Sequence, residues 1–259
     1  MLAAAVSALV LGAPAGQPPS QLLVLGMHHS GTSLVANLTM MLGANGGARE
    51  DMLLHPTNPL KYWERRDVVE LDEARLALGI DSAQAARYDM PDWVAYGFEA
   101  TKPATKVAAM AEAQAVVATL NAQRPWVTKD PRMALVTAEW MELLNAPVCV
   151  IVHREPLSLA NSMMIYSHNV SYAEWGSVYE AYYGSIVRAC AGVPTAVVSH
   201  AQLTAAPYAA LTKLHADLTA LGESNHQRIL LTVLPQPRPP PTHPKLPRRI
   251  TRDLTVTLL

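Results

Sequence analysis

This chain carries almost no surplus charge. Its 259 residues hold 20 Lys and Arg against 21 Asp and Glu, a formal net charge of −1. That balance gives no electrostatic case for nucleic acid or for an acidic membrane surface. Cysteine is equally scarce, with Cys149 and Cys190 the only two. Two cysteines are expected to make neither a disulfide framework nor a metal site, and Cys149, inside an apolar run, reads as a buried thiol. No internal repeat is present. After the first residues, no run is long and apolar enough to read as a membrane span. What the chain does have is hydrophobic residues, 50% of the total, enough for the core of one large domain with tails.

The tails stand out by composition. Residues 1–19 read as a leader. Leu2 to Leu11 is apolar, and Ala13-Pro14-Ala15 has the small residues of a cleavage site, but no Lys or Arg precedes the run. A cleavable signal, an anchor and a plain leader stay open, and with them the cytoplasm or the secretory pathway. Residues 235–259 are rich in proline and carry Arg238, Lys245, Arg248, Arg249 and Arg252. They cannot build a core and read as a basic tail. The domain is expected over residues 20–234.

Gly26-Met27-His28-His29-Ser30-Gly31-Thr32-Ser33 organises that domain. It follows the apolar run Gln21 to Leu25 and precedes a helical pattern with Leu34, Val35, Leu38, Met41 and Leu42 on one face and Gly43 at the stop. Strand, tight loop and helix form the setting of a phosphate cradle, where backbone N–H groups and a helix N-terminus converge on one anion. Gly26, Gly31 and Ser33 have the spacing of the ATP-binding loop G-x-x-x-x-G-K-[ST]. Thr32 stands where that loop has lysine, which argues against an ordinary ATPase or kinase.

Further on, Asn58 to Glu64 leads into a helix with Val68, Val69, Leu71, Leu76 and Leu78 inward, stopped by Gly79. Residues 80–102 read as a long aromatic-bearing loop, and residues 103–123 as a helix with Val107, Met110, Val117 and Leu120 inward. Pro125 to Thr128 is a short strand ending in Lys129-Asp130-Pro131-Arg132, with a helix beginning at Asp130-Pro131 whose inner face is Met133, Val136, Trp140, Leu143 and Leu144. Pro147 to Val152 is a continuous β-branched run, the pattern of a central parallel strand. It delivers His153 and Arg154 to the sheet edge, and Glu155-Pro156 opens the helix that carries Ser162. A helix over residues 171–190, a strand over 195–200, a helix over 207–221 and a last strand over 229–234 complete the pattern.

Four of these segments resemble the sulfotransferases that use 3′-phosphoadenosine 5′-phosphosulfate. The loop resembles their 5′-phosphosulfate-binding G-M-H-[RK]-S-G-T-S. Asn58 to Glu64 resembles N-P-x-G-Y-W-E, with Lys61 at the glycine. Lys129-Asp130-Pro131-Arg132 is a further match. Arg154 with Ser162 eight residues later resembles the 3′-phosphate element. His200-Ala201-Gln202-Leu203 stands where relatives have Y-E-D-L, and its polar residues differ. The resemblance implies a three-layer, doubly wound α/β fold with a central parallel sheet of about five strands, like that of P-loop nucleoside kinases. It implies the sulfonate donor as cosubstrate, no metal, and a small-molecule or glycan acceptor. Donor binding would fall to Gly26, His28, His29, Ser30, Gly31, Thr32, Ser33, Arg154 and Ser162, and catalysis to Glu64, Lys129 and His29. Glu64 would be the base, and Lys129, with Asp130 as orienting partner or helix cap, would neutralise the bridging oxygen.

One position departs from the resemblance. Relatives carry Arg or Lys where this chain has His29, whose ordinary pKa of ~6.5 leaves it only partly charged at neutral pH; a neighbouring phosphate would favour the charged form. A nucleotide-binding relative without catalysis, and a small-molecule kinase of similar fold, are the alternatives.

Overall fold

The computed structural model describes residues 20–54, 62–77, 108–165 and 170–223. Strands β1 (Gln21–Leu25), β2 (Trp126–Lys129), β3 (Pro147–His153) and β4 (Thr195–Ser199) form one parallel sheet in the order β2-β1-β3-β4. β1 registers Gln21 with Trp126 on one side and with Pro147 on the other; β3 registers Cys149 with Thr195. The expectation of about five strands becomes four among the described residues. The fifth candidate, residues 229–234, lies outside them, as do the leader, the tail, the segment 80–102, and the Asn58 to Lys61 part of the second resembling segment.

Helices cover both faces of the sheet, because the side chains of β1 alternate. Leu22 and Val24 pack with Val35 and Ala36 of α1 (Thr32–Met41), Leu203 of α7 (His200–Ala205), and Leu214, Leu218 and Leu221 of α8 (Pro207–Glu223). Leu23 and Leu25 pack on the other face. They meet Val68 and Leu71 of α2 (Arg66–Ala77), Val117 and Leu120 of α3 (Ala108–Asn121), Trp140 of α4 (Thr137–Met141), Leu159 and Met163 of α5 (Pro156–Met163), and Trp175 and Ile186 of α6 (Tyr172–Ala189). Period-two alternation on a sheet buried from both sides gives a near-continuous apolar strand.

Several local expectations change. α1 buries Thr32, Val35, Ala36 and Thr39; of the expected face Val35 and Leu42 are buried and Leu38 is partly buried, while Leu34 and Met41 face solvent. A small, partly polar stripe packs closer to the sheet than the leucine stripe would, and a hydrophobic count alone does not see that. The segment after Asp130 is a 3-10 turn, Pro131–Leu135, before α4 starts. Met133, Val136 and Trp140 are buried as expected, and Leu143 and Leu144 are partly buried against the same cluster. α6 begins with a capping box: the Ser171 hydroxyl accepts from the Glu174 N–H, and the Glu174 carboxylate accepts from the Ser171 N–H.

Cys149 is not a free thiol. It is bonded to Cys190, which joins central β3 to the C-terminal end of α6 across 41 positions. The sequence pattern placed Cys149 in a buried strand and Cys190 at the end of a helix but held nothing about their facing. A cross-link of this span constrains the unfolded chain and is worth about 2–4 kcal/mol. Cys149→Ala and Cys190→Ala should therefore each lower the denaturant midpoint by an amount of that order. Reductant should lower the wild-type midpoint and leave the variants unmoved; a reductant-insensitive wild type would show that the bond contributes nothing.

Candidate functional site

The crevice lies where the connections part. The chain leaving β1 runs to α1 on one face, and the chain leaving adjacent β3 runs to α5 on the other. Between the C-terminal ends of two such strands an open α/β sheet has its ligand crevice. The loop 26–31 and Arg154 both sit there.

The loop is folded by sterics. A Cβ on Gly26 would lie 2.6 Å from the Val152 carbonyl oxygen and 2.7 Å from Ser30 Oγ, so only glycine passes. Gly31, the N-cap of α1, has φ 99°, and His29 has φ 64°. The left-handed region suits the glycine and is strained for the histidine. The Ser30 N–H donates to the Met27 carbonyl at 3.1 Å, closing the turn. No side chain caps α1, so the N–H groups of its first turn have no intrahelical acceptor and face the loop's interior. Behind the loop, Tyr183 of α6 donates its hydroxyl to the Val152 carbonyl at 2.7 Å.

The 3′-phosphate candidates converge on His29. Its Nδ1 is 2.8 Å from Ser162 Oγ, and its carbonyl accepts from Arg154 Nη1 at 3.0 Å. Arg154 Nε donates to Ser158 Oγ at 3.0 Å, one turn before Ser162 on α5. That hydroxyl was not foreseen; the Arg-plus-four spacing on a helix opening was its signal. Glu155 caps α5, accepting from the N–H groups of Leu157 and Ser158. His200 was also missed as a neighbour: its ring would lie 3.0 Å from a Cβ at Gly31. Burial, and then Arg154, lowers the His200 pKa.

Lys129 and Glu64 meet, although 65 positions separate them. The Lys129 ammonium, at the end of β2, is 2% exposed; it donates to Glu64 Oε1, to Ser33 Oγ at 3.2 Å and to the Tyr62 carbonyl at 3.3 Å. Glu64 is 6% exposed, and its Oε2 lies 3.6 Å from Arg132 Nη2. Two consecutive left-handed residues, Tyr62 at φ 78° and Trp63 at φ 56°, turn the chain so that the Tyr62 carbonyl and the Glu64 carboxylate reach the same amine. Such strain in two bulky residues is held by surrounding structure. Here the Leu53 N–H donates to the Glu64 carbonyl at 2.8 Å, and Arg65 pairs with Asp67 and Asp51.

Of its two expected roles Asp130 takes the second, capping the 3-10 turn that follows it. It does not orient Lys129. Its Oδ1 accepts the Arg132 backbone N–H at 3.1 Å, and both carboxylate oxygens take Arg132 Nε at 3.0 Å. Lys129 gets its carboxylate from Glu64 instead. A strand alternates its side chains, so residues 129 and 130 leave the sheet on opposite faces, which adjacency in the sequence conceals. Burial raises the Asp130 carboxyl to about 6, with Arg132 opposing and Glu64 adding to the rise. Asp72 of α2 is raised well above the ordinary carboxyl value by burial and then by Asp130, although Trp140 donates its ring N–H to it at 2.7 Å.

The expected site residues therefore assemble into one crevice: Gly26 to Ser33 on the loop, Lys129 and Glu64 on one side, Arg154 and Ser162 on the other. Among the described residues no group of three or more His, Cys, Asp or Glu is arranged to hold a metal ion. The chain matches no protein-family model and no curated protein, so neither comparison assigns a family.

His28 offers a test of the loop's electrostatics. Its Nε2 is buried, and burial, then Arg132, Lys129 and His29, lower its pKa well below 6.5. A depressed folded value means that the neutral ring's contribution to stability is complete above the ordinary histidine value of about 6.5. It is lost as pH falls below that value toward the folded one. Between pH 8 and pH 5 the His28 contribution lowers the denaturant midpoint, against the opposite contribution of the Asp130 and Asp72 carboxyls that burial raises, and His28→Asn should remove the His28 part of that fall. His153 and His200, lowered in the same direction by burial, account for another part. An unchanged slope in His28→Asn would show that the ring takes up no proton on unfolding.

Proposed function

We propose that this chain transfers a sulfuryl group from 3′-phosphoadenosine 5′-phosphosulfate to an acceptor hydroxyl or amine, on a sheet of the P-loop nucleoside-kinase type. The observation that carries this reading is one crevice with two anion-binding features: an uncapped helix N-terminus behind a glycine-only turn, and Arg154 with Ser162 bound to opposite ends of His29. Thr32, in the place of the ATP-loop lysine, turns the balance from ATP to a donor with a second phosphate. The residues fit that donor. The loop and the first turn of α1 suit its 5′ end, and a guanidinium with a nearby hydroxyl suits a 3′-phosphate.

The chemistry needs one proton acceptor and one cation. The acceptor oxygen or nitrogen bonds to sulfur as the sulfur–oxygen bond to the 5′-phosphate breaks. The bond's electron pair leaves with adenosine 3′,5′-bisphosphate, where Lys129 supplies the neutralising charge. The acceptor's proton passes to Glu64. A charged His29 would be the second cation available to the sulfuryl group. A nucleotide-binding relative without turnover is the second reading. The Lys129–Glu64 pair favours it, because each of the two groups occupies the other.

Calorimetry with adenosine 3′,5′-bisphosphate and with ADP tests the donor. The bisphosphate should bind more tightly, and Arg154→Ala should cost it ~1.5–3 kcal/mol. ADP should lose only what the slackened His29 carbonyl costs. Equal losses would make Arg154 a purely structural clamp of the loop.

Glu64→Gln separates the two readings. Bisphosphate binding should persist while transfer to an accepted hydroxyl or amine slows by a factor of ~100 or more. Full transfer rate in that variant would remove Glu64 from the base role.

A further inference from the structure

Under the proposed reaction, Lys129 and Glu64 must part. The amine is needed at the donor, and the carboxylate must stay where it is, ionised and almost out of solvent. A buried carboxylate that loses its only cation either takes a proton or moves. The residue that can hold it in place until the acceptor's proton arrives already stands beside it.

Arg132 is held on two of its edges. Its Nε is fixed by both oxygens of Asp130 at 3.0 Å, and its Nη1 by Glu73 of α2 at 2.9 Å. With those edges taken, Nη2 is the edge turned to Glu64 Oε2, at 3.6 Å. That distance is an ion pair and not yet a hydrogen bond, so a shift of about half an ångström would close it. Arginine is the suitable cation for the task. It stays charged in any physiological buffer, and here Asp130, Glu64 and Glu73 push its proton affinity higher still against the opposing effect of burial.

We propose that Arg132 is a positioning residue that takes over the Glu64 carboxylate when Lys129 leaves it for the donor. Lys129 shares Oε1, Arg132 stands at Oε2, and the pair Asp130 and Glu73 keeps the guanidinium from following the lysine. Among the described residues the charged groups facing Glu64 are then Lys129 from β2, and Arg132 and Asp130 from the turn that follows, while Glu73 pairs with Arg132. The inference rests on the sulfuryl-transfer reading for the reason that Lys129 leaves, but the hand-over itself can be measured without turnover.

The experiment is a double-mutant cycle on folding stability with Glu64→Gln and Arg132→Gln, run with Lys129 present and again in Lys129→Met, which imitates its departure. With Lys129 present the Glu64–Arg132 coupling should be small, about threefold in the folding equilibrium constant. In Lys129→Met it should rise to about tenfold or more. Arg132→Lys should restore only part of it, because an ammonium cannot hold three partners along fixed edges. A general structural role for Arg132 would destabilise every background equally and leave the coupling unchanged. Glu73→Gln serves where Arg132→Gln does not fold, since Glu73 is 43% exposed and its loss leaves no buried charge unpaired. It should reduce the coupling to Glu64 while leaving the fold intact.

A third arm adds saturating adenosine 3′,5′-bisphosphate to the chain with Lys129 intact. Coupling that rises with ligand supports the hand-over. Bisphosphate that binds without raising it, or coupling that is equal with and without Lys129, overturns it. No bisphosphate binding at all would count against the donor reading instead, and the Lys129→Met arm would still decide whether Arg132 takes the carboxylate.

Discussion

Between Gly26 and the Val152 carbonyl oxygen there is no room for a methyl group. That approach sets the rest of the crevice. It lets the chain fold over the end of β1, brings Ser30 beneath the turn, and starts α1 where its open N–H groups face the same point. The Val152 oxygen also accepts Tyr183 from α6, so one peptide oxygen ties the loop's floor to the helix behind it. On the far side, Arg154 follows β3 by one residue and returns to the loop through the His29 carbonyl. Two strand ends and one helix thus fix a loop that makes few internal bonds of its own.

The polar side chains around the crevice are arranged in alternating charge. Lys129, Glu64, Arg132 and Asp130 run as cation, anion, cation, anion, each of them buried. A chain of this kind adds little net stability against an apolar core of equal volume. It does hold its members in fixed positions, since moving any one leaves a neighbour's charge without compensation. Glu73, half in solvent at the end of the row, is where the chain meets water.

Much of the fold was legible because it rests on short-range patterns. The apolar runs of β1 and β3, the glycine spacing of the loop and the proline-started helices α5 and α8 each announce themselves within about ten residues. On α1, Val35, Leu38 and Leu42 face the core as expected, but Leu34 and Met41 do not, because Thr32, Ala36 and Thr39 take the places against the sheet. What the sequence hid depends on contacts between distant segments. Cys149 meets Cys190, and Lys129 meets Glu64 in place of adjacent Asp130. Tyr62 and Trp63 adopt a conformation that their side chains disfavour, because tertiary contacts hold it. The motifs named residues that the fold brings together around the crevice; how they pair could not be read from them.

The position of β1 has a consequence for the order in which the protein is made. Among the described residues it is the first strand, and it is a central one in the sheet. Its partners begin only at Trp126 and Pro147, each more than a hundred residues later. At roughly 5–20 residues per second, several seconds pass during synthesis before β1 has any neighbour in the sheet. Until Val152 emerges, Gly26 has no carbonyl to lie against and His29 has no arginine at its oxygen. The loop over residues 26–31 is therefore translated well before the partners that give it its shape. The apolar run of Gln21 to Leu25 is the stretch a nascent chain must keep from the wrong partner in the meantime.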